Sequence, residues 1–244
     1  MNFELKINQS IKFDFPLDKL AENDIVYHLT DPQIFMDKWQ LFFEPGDYVL
    51  DIGAYIGIVS IHLACLGAIV YAFEGAPSNH ERIEFICKPL RQIIIHKKAL
   101  SNKTYNVKTR FNDCIGREHK EQNIEYVVYD DYAKLHSLKD PKFVKIDIEG
   151  MESIALLGMS NLIKNVRPIW QIEWHDGTPF KYSDYPGFVS VTEGGFDFKN
   201  FIKFDYQVFD TNLKPTKIED FEIYENYFFI PKEKISSLKS IKLI

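Results

Sequence analysis

From Pro45 onward, short apolar runs alternate along the chain with stretches in which apolar residues recur every three or four positions. A short continuous apolar run is typical of a strand buried on both faces of a parallel sheet, whereas the longer spacing predicts a helix. Core strands are predicted at Tyr48–Gly53, Ala68–Phe73, Gln92–Lys97, Phe143–Asp147 and Pro168–Glu173. Helices are predicted between them over Ile56–Leu66, from Ser78 up to Pro89, and over Ser153–Lys164.

Strands that alternate with helix-length segments imply βαβ units, so the pattern indicates an α/β fold with a doubly wound, mostly parallel sheet. Polar residues predict where two of the helices begin. Ser78 and Glu81 have the S-x-x-E spacing of a capping box. Asp130 and Asp131 are expected to cap a helix over Ala133–Leu138.

Segments outside this core have weaker patterns. Residues 1–44 are interrupted by Pro16 and Pro32, and we expect them to form a partly helical cap. Val107–Asn112 and Ile124–Tyr129 are predicted to be two strands that leave the main sheet.

The C-terminal part is predicted to contain a short helix at Phe198, Phe201 and Ile202, and then an antiparallel pair formed by Tyr206–Phe209 and Tyr227–Ile230. Lys232–Ile244 carries four lysines, and we expect it to be a solvated terminal helix. The whole chain is then one domain over residues 1–244, made of a cap (1–44), a cofactor-binding core (45–175), and C-terminal strands with a tail (176–244).

Composition narrows the class of protein. The hydrophobic fraction of 45% and the aromatic fraction of 15% supply a sizeable core. The net charge is −6, and only five of the 29 basic residues are arginine, which argues against a protein that reads nucleic acid. Cys65, Cys87 and Cys114 form no C-x-x-C pair, so we expect buried thiols rather than a disulfide or a zinc site. No signal peptide or membrane-spanning run is visible, so we expect a cytoplasmic protein.

The first candidate site is the loop after the strand Tyr48–Gly53, from Asp51 to Gly57. It lies at a strand-to-helix turn, where Gly53 permits close backbone approach, Gly57 permits tight helix packing, and the first N–H groups of the helix can receive a carboxylate. The spacing is not the G-x-G-x-x-G of dinucleotide sites. S-adenosylmethionine, which has an amino acid and a ribose but no pyrophosphate, suits the loop better. An ordinary tight turn is the alternative.

Glu74 ends the next core strand. A carboxylate at this place can accept hydrogen bonds from both hydroxyls of a ribose, as in nucleoside-binding sheets. A solvated carboxylate is the alternative, but two such features in this order on adjacent strands favour a ligand. We therefore predict a site for S-adenosyl-L-methionine that is formed by Asp51, Gly53, Ala54, Tyr55, Ile56, Gly57, Glu74, Gly75 and Ala99.

The segment Lys145–Gly150 is the second candidate site. If the strand stays extended, alternation places Lys145, Asp147 and Glu149 on one side. Asp147 then reaches the carboxyl edge of the sheet as a general base, a metal ligand or an anchor for an ammonium group. Asp147 and Glu149 alone would provide too few ligands for a divalent metal ion, so no metal site is predicted. Alternatively, Glu149 and Glu152 only favour the start of the following helix.

Glu173 and His175 close the fifth core strand and share one face by alternation. Both can reach a hydroxyl substrate beside Asp147, although a surface Glu–His pair is the plainer alternative. Asp147 is predicted to be the general base or to orient the substrate, and Glu173 and His175 are predicted to assist it. Lys145 and Glu149 are the other two residues of the predicted catalytic group.

Taken in this order, the motifs resemble the FkbM family of methyltransferases. The segments that carry the resemblance are Pro45–Asp47, Asp51–Gly57, Tyr71–Glu74, Ala99–Ser101, Tyr129–Asp131, Lys145–Glu152, Leu157–Gly158 and Pro168–Glu173, with weaker ones at Tyr206–Asp210 and Asn226–Pro231. The resemblance implies a seven-stranded methyltransferase sheet and, in the better known members, O-methylation of sugar or polyketide hydroxyls. The family usually has asparagine where Tyr55 stands, proline where Gly75 stands and glycine where Asp205 stands.

The expected function is transfer of a methyl group from S-adenosyl-L-methionine to a hydroxyl of a sugar or natural-product acceptor. The expected partner is a small molecule or glycan, with neither nucleic acid nor membrane. Two alternatives stay open: 2′-O-methylation of RNA, for which Lys145, Asp147 and Glu173 supply a lysine and acids, and a non-catalytic binding protein. Acceptor contacts are expected from the N-terminal cap and from Thr178–Gly195, whose aromatic residues either stack on a sugar or pack within a loop.

Overall fold

The computed structural model describes residues 2–6, 12–16, 33–109, 121–175 and 195–238. In chain order, the described strands are β1 (Asn2–Lys6), β2 (Lys12–Pro16), β3 (Tyr48–Ile52), β4 (Ile69–Phe73), β5 (Ile93–His96), β6 (Ala99–Leu100), β7 (Tyr105–Thr109), β8 (Gln122–Val127), β9 (Phe143–Ile146), β10 (Ile169–Glu173), β11 (Tyr206–Phe209) and β12 (Asn226–Pro231).

Seven of these strands form the main sheet, in the order β11-β12-β10-β9-β3-β4-β5. The five strands from β10 to β5 run parallel, and β12 is antiparallel to both of its neighbours, β10 and β11. The prediction of a seven-stranded, mostly parallel α/β sheet with an antiparallel C-terminal strand is therefore confirmed. A separate sheet with the order β6-β8-β7 forms the predicted excursion, and β1 pairs with β2.

The helices between the strands cover both faces of the main sheet. They are α1 (Gln33–Trp39), α2 (Ile58–Cys65), α3 (Pro77–Cys87), α4 (Tyr129–Leu135), α5 (Glu152–Leu157), a π-helical segment (Leu162–Val166), α6 (Lys199–Lys203), a 3₁₀ turn (Ile218–Asp220) and α7 (Lys232–Ile235). This layering is expected for parallel strands, because strands that are apolar on both sides need a layer of helices on each.

Neighbouring residues of each strand enter different cores, because side chains alternate along a strand. In β3, Val49 packs with the apolar residues of α1, α2 and α3. Leu50, the next residue, packs with those of α5, the π-helical segment and α6. The sheet therefore lies between two apolar layers, and its carboxyl edge is left for polar residues.

One polar contact lies inside the first of these layers. The side chain of Gln171 in β10 is buried among apolar neighbours, where the indole N–H of Trp39 donates to its Oε1 at 2.7 Å. The Gln171 amide donates in turn to Asn226 Oδ1 at 2.9 Å. These two hydrogen bonds join α1 to the middle of the sheet. They also satisfy polar groups that would be costly to bury without a partner.

The predicted helix starts differ from the observed ones. Pro77 is the first residue of α3, and no side chain caps this helix, so the capping box of Ser78 and Glu81 is wrong. Proline is favoured at this position because it needs no N–H partner and has a helical φ. Asp130 likewise lies within α4 and accepts from the backbone N–H of Asn161, so it does not cap its own helix.

The helix predicted over Ser153–Lys164 is interrupted. The helix α5 ends at Leu157, and the π-helical segment follows after Gly158. A Cβ at Gly158 would lie 2.3 Å from the carbonyl oxygen of Ser101, and the Gly158 carbonyl accepts from the Asp130 N–H. Contacts with distant parts of the chain set this break, so local periodicity did not predict it.

At the termini, the cap predicted over residues 1–44 contains the pair β1 and β2 as well as the helix α1. The terminal helix predicted at Lys232–Ile244 is described only as α7. Residues 17–32 and 239–244, the end of the strand predicted at Val107–Asn112, and Cys114 lie outside the described residues. Among the helices that the structure describes, none is both long and apolar enough to cross a lipid bilayer.

Phe201 and Ile202 in α6 give a matched test of the second apolar layer. Phe201 is fully buried against Trp170, Tyr206 and Phe229, whereas Ile202 is 45% exposed. We expect Phe201→Ala to lower the free energy of unfolding by about 3–5 kcal/mol because it leaves a cavity. Ile202→Ala should lower it by less than about 1 kcal/mol. Urea unfolding followed by circular dichroism measures both, and equal losses would show that Phe201 does not anchor this layer.

Candidate active site

Four parallel strands of the main sheet end level with one another. Cα pairing joins Ile52 at the end of β3 to Phe73 of β4 on one side and to Ile146 of β9 on the other, and Ile146 pairs with Ile172 of β10. The residues that follow these four positions therefore meet at the carboxyl edge of the sheet, where open α/β sheets bind ligands. The two predicted sites are thereby brought to one edge.

The loop after β3 is shaped by Gly53. Its φ is 82°, and a Cβ at this position would lie only 1.8 Å from the carbonyl oxygen of Asp147. The close approach predicted at this glycine is thus an approach to the end of β9. Gly57, with a φ of 93°, packs on α3 rather than on a strand, since a Cβ there would lie 2.4 Å from Cys87 Sγ.

The backbone N–H groups of this loop already have acceptors within the protein. Those of Gly53 and Ala54 both donate to the Phe73 carbonyl at 3.0 Å, and that of Gly57 donates to the Ala54 carbonyl at 2.7 Å. The Tyr55 N–H donates to Glu74 Oε2 at 2.8 Å. Of the N–H groups expected to be open at the start of the helix predicted over Ile56–Leu66, that of Gly57 therefore already has an acceptor.

Glu74 is the carboxylate around which the loop is arranged. Its side chain is buried, Oε2 accepts from Tyr55, and Oε1 accepts from the Ala76 N–H at 2.8 Å and from Asn79 Nδ2 at 3.2 Å. A carboxylate has about four lone-pair positions, so these three donors leave room for a further one. Burial raises the pKa of Glu74 to about 7, against the lowering effect of these hydrogen bonds.

Asp51 lies within β3 rather than at its end, and its side chain is fully buried. Ser60 Oγ donates to Asp51 Oδ2 at 2.5 Å, whereas Oδ1 has no hydrogen-bond donor among the described residues. Burial raises its pKa, against the lowering effect of the nearby Lys145 charge. Asp51 is thus a buried acceptor beneath the loop. Beyond Glu74, a Cβ at Gly75 would lie 2.6 Å from that of Ala99, so these two residues are in direct contact.

Lys145 and Asp147 form an ion pair at the end of β9. The Lys145 ammonium, which is almost fully buried, donates to Asp147 Oδ2 at 2.9 Å. Burial alone would raise the pKa of Asp147, but the Lys145 charge and hydrogen bonds from Glu173 and Lys145 outweigh it, so the pKa is lowered. Asp147 is therefore ionised and has a fixed partner.

Beyond Asp147 the chain turns. Glu149 has a φ of 57° and Gly150 a φ of 93°, so the alternation that was to place Glu149 beside Lys145 and Asp147 stops with Asp147. Glu149 is instead mostly exposed, with its Oε2 3.9 Å from His175 Nε2. Glu152 lies in the first turn of α5, as expected for an acidic residue near a helix start.

Glu173 and His175 lie next to this turn. His175 Nε2 is 3.2 Å from Glu173 Oε2, and Nδ1 is 3.5 Å from Glu152 Oε1. Burial and the Asp147 charge raise the pKa of Glu173 to about 9. Burial would lower the pKa of His175, but the Glu152 side chain beside Nδ1 and the charges of Glu173 and Asp147 raise it to about 9. The two residues share protons as a coupled pair.

A small cavity opens beside this pair, and several of its residues were not predicted as site residues. It is lined by Gly150, Glu152, Ser153, Glu173, Trp174, His175 and Phe198. Tyr224, which is 64% exposed, contacts the His175 ring edge-on at 5.4 Å. Among the residues that were not predicted, only Glu152 could have been found from the sequence, because it is an acidic residue close to the predicted site residue Glu149. Gly150, Ser153 and Trp174 are close to predicted residues in the chain, whereas Phe198 and Tyr224 come from distant segments.

Two further expectations concern the acceptor-binding segment and a possible metal site. The predicted acceptor segment Thr178–Gly195, with Phe180, Tyr182, Tyr185 and Phe188, lies outside the described residues except for Gly195. Within the described ranges, no group of three or more His, Cys, Asp or Glu side chains has an arrangement that can hold a metal ion.

Comparison with known proteins gives one strong match. The model of the methyltransferase FkbM domain matches residues 51–204, which is more than half of the 244 residues. This range begins at Asp51 and includes the loop after β3, Glu74, the end of β9 and the end of β10. No curated protein matches the chain.

Solved structures give more distant likenesses. An FkbM methyltransferase from Methylobacillus flagellatus KT is 18% identical, over 87% of this chain and 56% of its own, with a TM-score of 0.48. A SAM-dependent methyltransferase from Aquifex aeolicus is 13% identical, over 88% and 97%, with a TM-score of 0.44. Aeropyrum pernix fibrillarin, solved with natively bound S-adenosyl-L-methionine, is 12% identical, over 76% and 66%, with a TM-score of 0.42. The chain thus spans little more than half the length of the Methylobacillus protein.

Gly53 and Gly46 give a matched test of the loop. Both have positive φ values, so an alanine at either one adds backbone strain of about 1–2 kcal/mol. A Cβ at Gly46 meets nothing within 4 Å, whereas one at Gly53 meets the Asp147 carbonyl. We expect Gly53→Ala to lower the free energy of unfolding by about 1–3 kcal/mol more than Gly46→Ala does, as measured by urea unfolding. Equal effects would show that the loop and the end of β9 are not in tight contact.

Proposed function

The chain belongs to the FkbM methyltransferase family, and we propose that it transfers a methyl group from S-adenosyl-L-methionine to a hydroxyl of a sugar or natural-product acceptor. The observation that carries this proposal is the level ending of β3, β4, β9 and β10. It brings the buried carboxyl group of Glu74 and the side chains of Asp147, Glu173 and His175 to one edge of the sheet, which supports a ribose-binding carboxylate beside an acid–base group.

The residues present fit this cofactor in their chemistry. Glu74 keeps acceptor capacity for a ribose hydroxyl, and the buried Asp51 Oδ1, which has no donor among the described residues, is an acceptor for a cationic group. The bare backbone of Gly53 keeps the loop free of side-chain bulk next to Asp147. We assign Ala54, Tyr55, Ile56 and Gly57 to the same binding loop, and Gly75 and Ala99 to the wall beyond Glu74.

When bound, S-adenosylmethionine supplies an electrophilic methyl group and is left as a neutral thioether. The tasks of the protein are then to align the acceptor hydroxyl and to receive its proton. Alignment contributes several kcal/mol to lowering such a barrier, and a positioned base contributes a rate factor of roughly a hundred or more.

The ion pair with Lys145 supports alignment of the acceptor as the role of Asp147. Its carboxylate is ionised and held by Lys145, so it can accept a hydrogen bond from the acceptor hydroxyl. The same pairing lowers its pKa, which makes it a weak proton acceptor. The proposed role of Lys145 is therefore to fix the Asp147 carboxylate in place. Glu149 lies at the solvent-facing side of the site.

Glu173 and His175 are better suited to receive the proton. Both have pKa values raised to about 9, so a deprotonated form of the pair is basic enough to take a proton from a polarised hydroxyl. Their separation of 3.2 Å lets the proton be shared after transfer. In the proposed site, Asp147 orients the acceptor and the Glu173–His175 pair receives its proton.

The acceptor and the compartment belong to the proposal as well. A small molecule or glycan fits the acids at the strand ends, whereas a net charge of −6 with few arginines disfavours nucleic acid. Cys65 and Cys87 are free thiols, which fits the proposed location in a reducing cytoplasm. Burial raises their pKa values to about 11 and 12, so both stay protonated.

Calorimetry tests the cofactor assignment. We expect the wild-type protein to bind S-adenosylmethionine at pH 8, where Glu74 is mostly ionised, and Glu74→Gln to bind it roughly tenfold to a hundredfold more weakly, because a charged hydrogen-bond acceptor is lost. Glu81→Gln, on the exposed face of α3, is the control and should bind normally. Incubation with labelled cofactor and a panel of glycans and natural products, followed by mass spectrometry, then identifies the product. A wild-type protein that binds no cofactor would favour a non-catalytic role.

The pH dependence of the reaction tests the assigned base. Glu173 and His175 must lose a proton before they can act, so kcat/KM should rise about tenfold per pH unit below pH 9 and level off above it. His175→Asn should remove most of this rise. A rate that is flat from pH 6 to pH 10, with cofactor binding intact, would instead assign the proton to Asp147 or to water.

A further inference from the structure

We propose that Glu152 is a positioning residue that holds His175 with Nδ1 toward its own carboxylate, so that Nε2 faces Glu173 and the cavity. This inference rests on the proposed function, because it assigns an orienter to the proposed proton acceptor. Glu152 was expected only to favour the start of α5, and no role in the site was predicted for it.

The position of Glu152 is fixed by its surroundings. Its side chain is buried in the first turn of α5, and its Oε1 accepts from the backbone N–H of Ile148 at 2.8 Å and from that of Gly150 at 3.3 Å. A solvated acidic residue at a helix start would need no such partners. The two hydrogen bonds tie the carboxylate to the turn that follows Asp147, so it cannot move away from the site without breaking them.

His175 lies against the same oxygen. Its side chain is only 2% exposed, and Nδ1 is 3.5 Å from Glu152 Oε1. Among the described residues, neither ring nitrogen has a hydrogen bond of good geometry, although both lie within ion-pair distance of carboxyl groups. The ring is thus positioned between the Glu152 and Glu173 side chains.

Four elements present titratable groups to the ring. Asp147 follows β9, Glu149 and Glu152 belong to the turn and to α5, Glu173 ends β10, and Tyr224 precedes β12. Glu149 is 64% exposed and 3.9 Å away, so solvent screens its charge. Glu152 is the buried carboxyl group that faces Nδ1.

The consequence concerns the tautomer of the imidazole. When His175 is neutral, a carboxylate beside Nδ1 favours the form that carries its proton there, and Nε2 keeps a lone pair. The acceptor O–H bond would then break with its proton going to Nε2. The oxygen electron pair would form the bond to the methyl group as the methyl–sulfur bond breaks and its electrons stay on sulfur. The imidazolium that results would keep its Nδ1–H directed at the Glu152 side chain, which would stabilise it as an orienting acid stabilises a catalytic histidine.

Long-range ¹H–¹⁵N spectra of the histidine rings test this without cofactor or acceptor, with His175→Gln used to assign the signals. In the wild-type protein, we expect His175 to titrate well above the ordinary value and to carry its proton on Nδ1 when neutral. In Glu152→Gln, which keeps the shape and the acceptor oxygen, the titration midpoint should fall by about one to three pH units. Glu149→Gln is the matched control, and it should move the midpoint much less.

Three outcomes would overturn the proposal: an ordinary midpoint near 6.5 in the wild-type protein, a neutral ring protonated on Nε2, or equal shifts in the two variants. Because the first two are read from the wild-type protein, the test stands even if Glu152→Gln does not fold. Calorimetry with S-adenosylmethionine reports separately on the proposed function, so failure of one does not imply failure of the other.

Discussion

The contact between the backbone of Gly53 and the carbonyl of Asp147 is the constraint on which the rest of the site depends. It joins the ends of β3 and β9, the two central strands of the sheet, at a distance that only a residue without a Cβ allows. This contact brings the loop after β3 and the charged residues after β9 together. Glu74 then closes the other side of the loop by accepting the Tyr55 N–H. The binding loop and the acid–base group are thus parts of a single backbone arrangement.

The buried ammonium of Lys145 at this edge has carboxylates as neighbours. Lys145 lies between Asp51 and Asp147, and burial, which would lower its pKa, is outweighed by those two carboxylates, so the pKa is raised. An isolated buried charge would be strongly destabilising, whereas a hydrogen-bonded pair is tolerated. The same pairing that makes the edge stable also separates the roles of the acids. Asp147 is held ionised, and Glu173, which lacks a lysine partner of its own, retains its proton to about pH 9.

The sequence predicted what periodicity and residue type control, and missed what distant contacts control. The order of strands and helices from β3 to β10 followed from apolar runs, and the carboxyl-edge position of Glu74, Asp147 and His175 followed from parallel topology. The break at Gly158 did not, because the carbonyl of Ser101, far away in the chain, sets it. The occupied N–H groups of Gly53 and Ala54 were also missed, since their acceptor, the Phe73 carbonyl, belongs to the neighbouring strand. Roles assigned to individual residues depend on such contacts, and they stay predictions.

Three residues at this edge have a left-handed backbone although they carry side chains: Tyr55 with a φ of 52°, Glu149 with 57° and Tyr224 with 67°. Each costs of order 1 kcal/mol or more and persists only where the surroundings impose it. At position 55 this conformation is costly, because asparagine tolerates the left-handed region better than tyrosine does. The N–H of Tyr55 donates to Glu74, so the loop keeps this conformation with a less favourable residue. The backbone at position 55 is therefore set by the Glu74 carboxylate rather than by the side chain that occupies it.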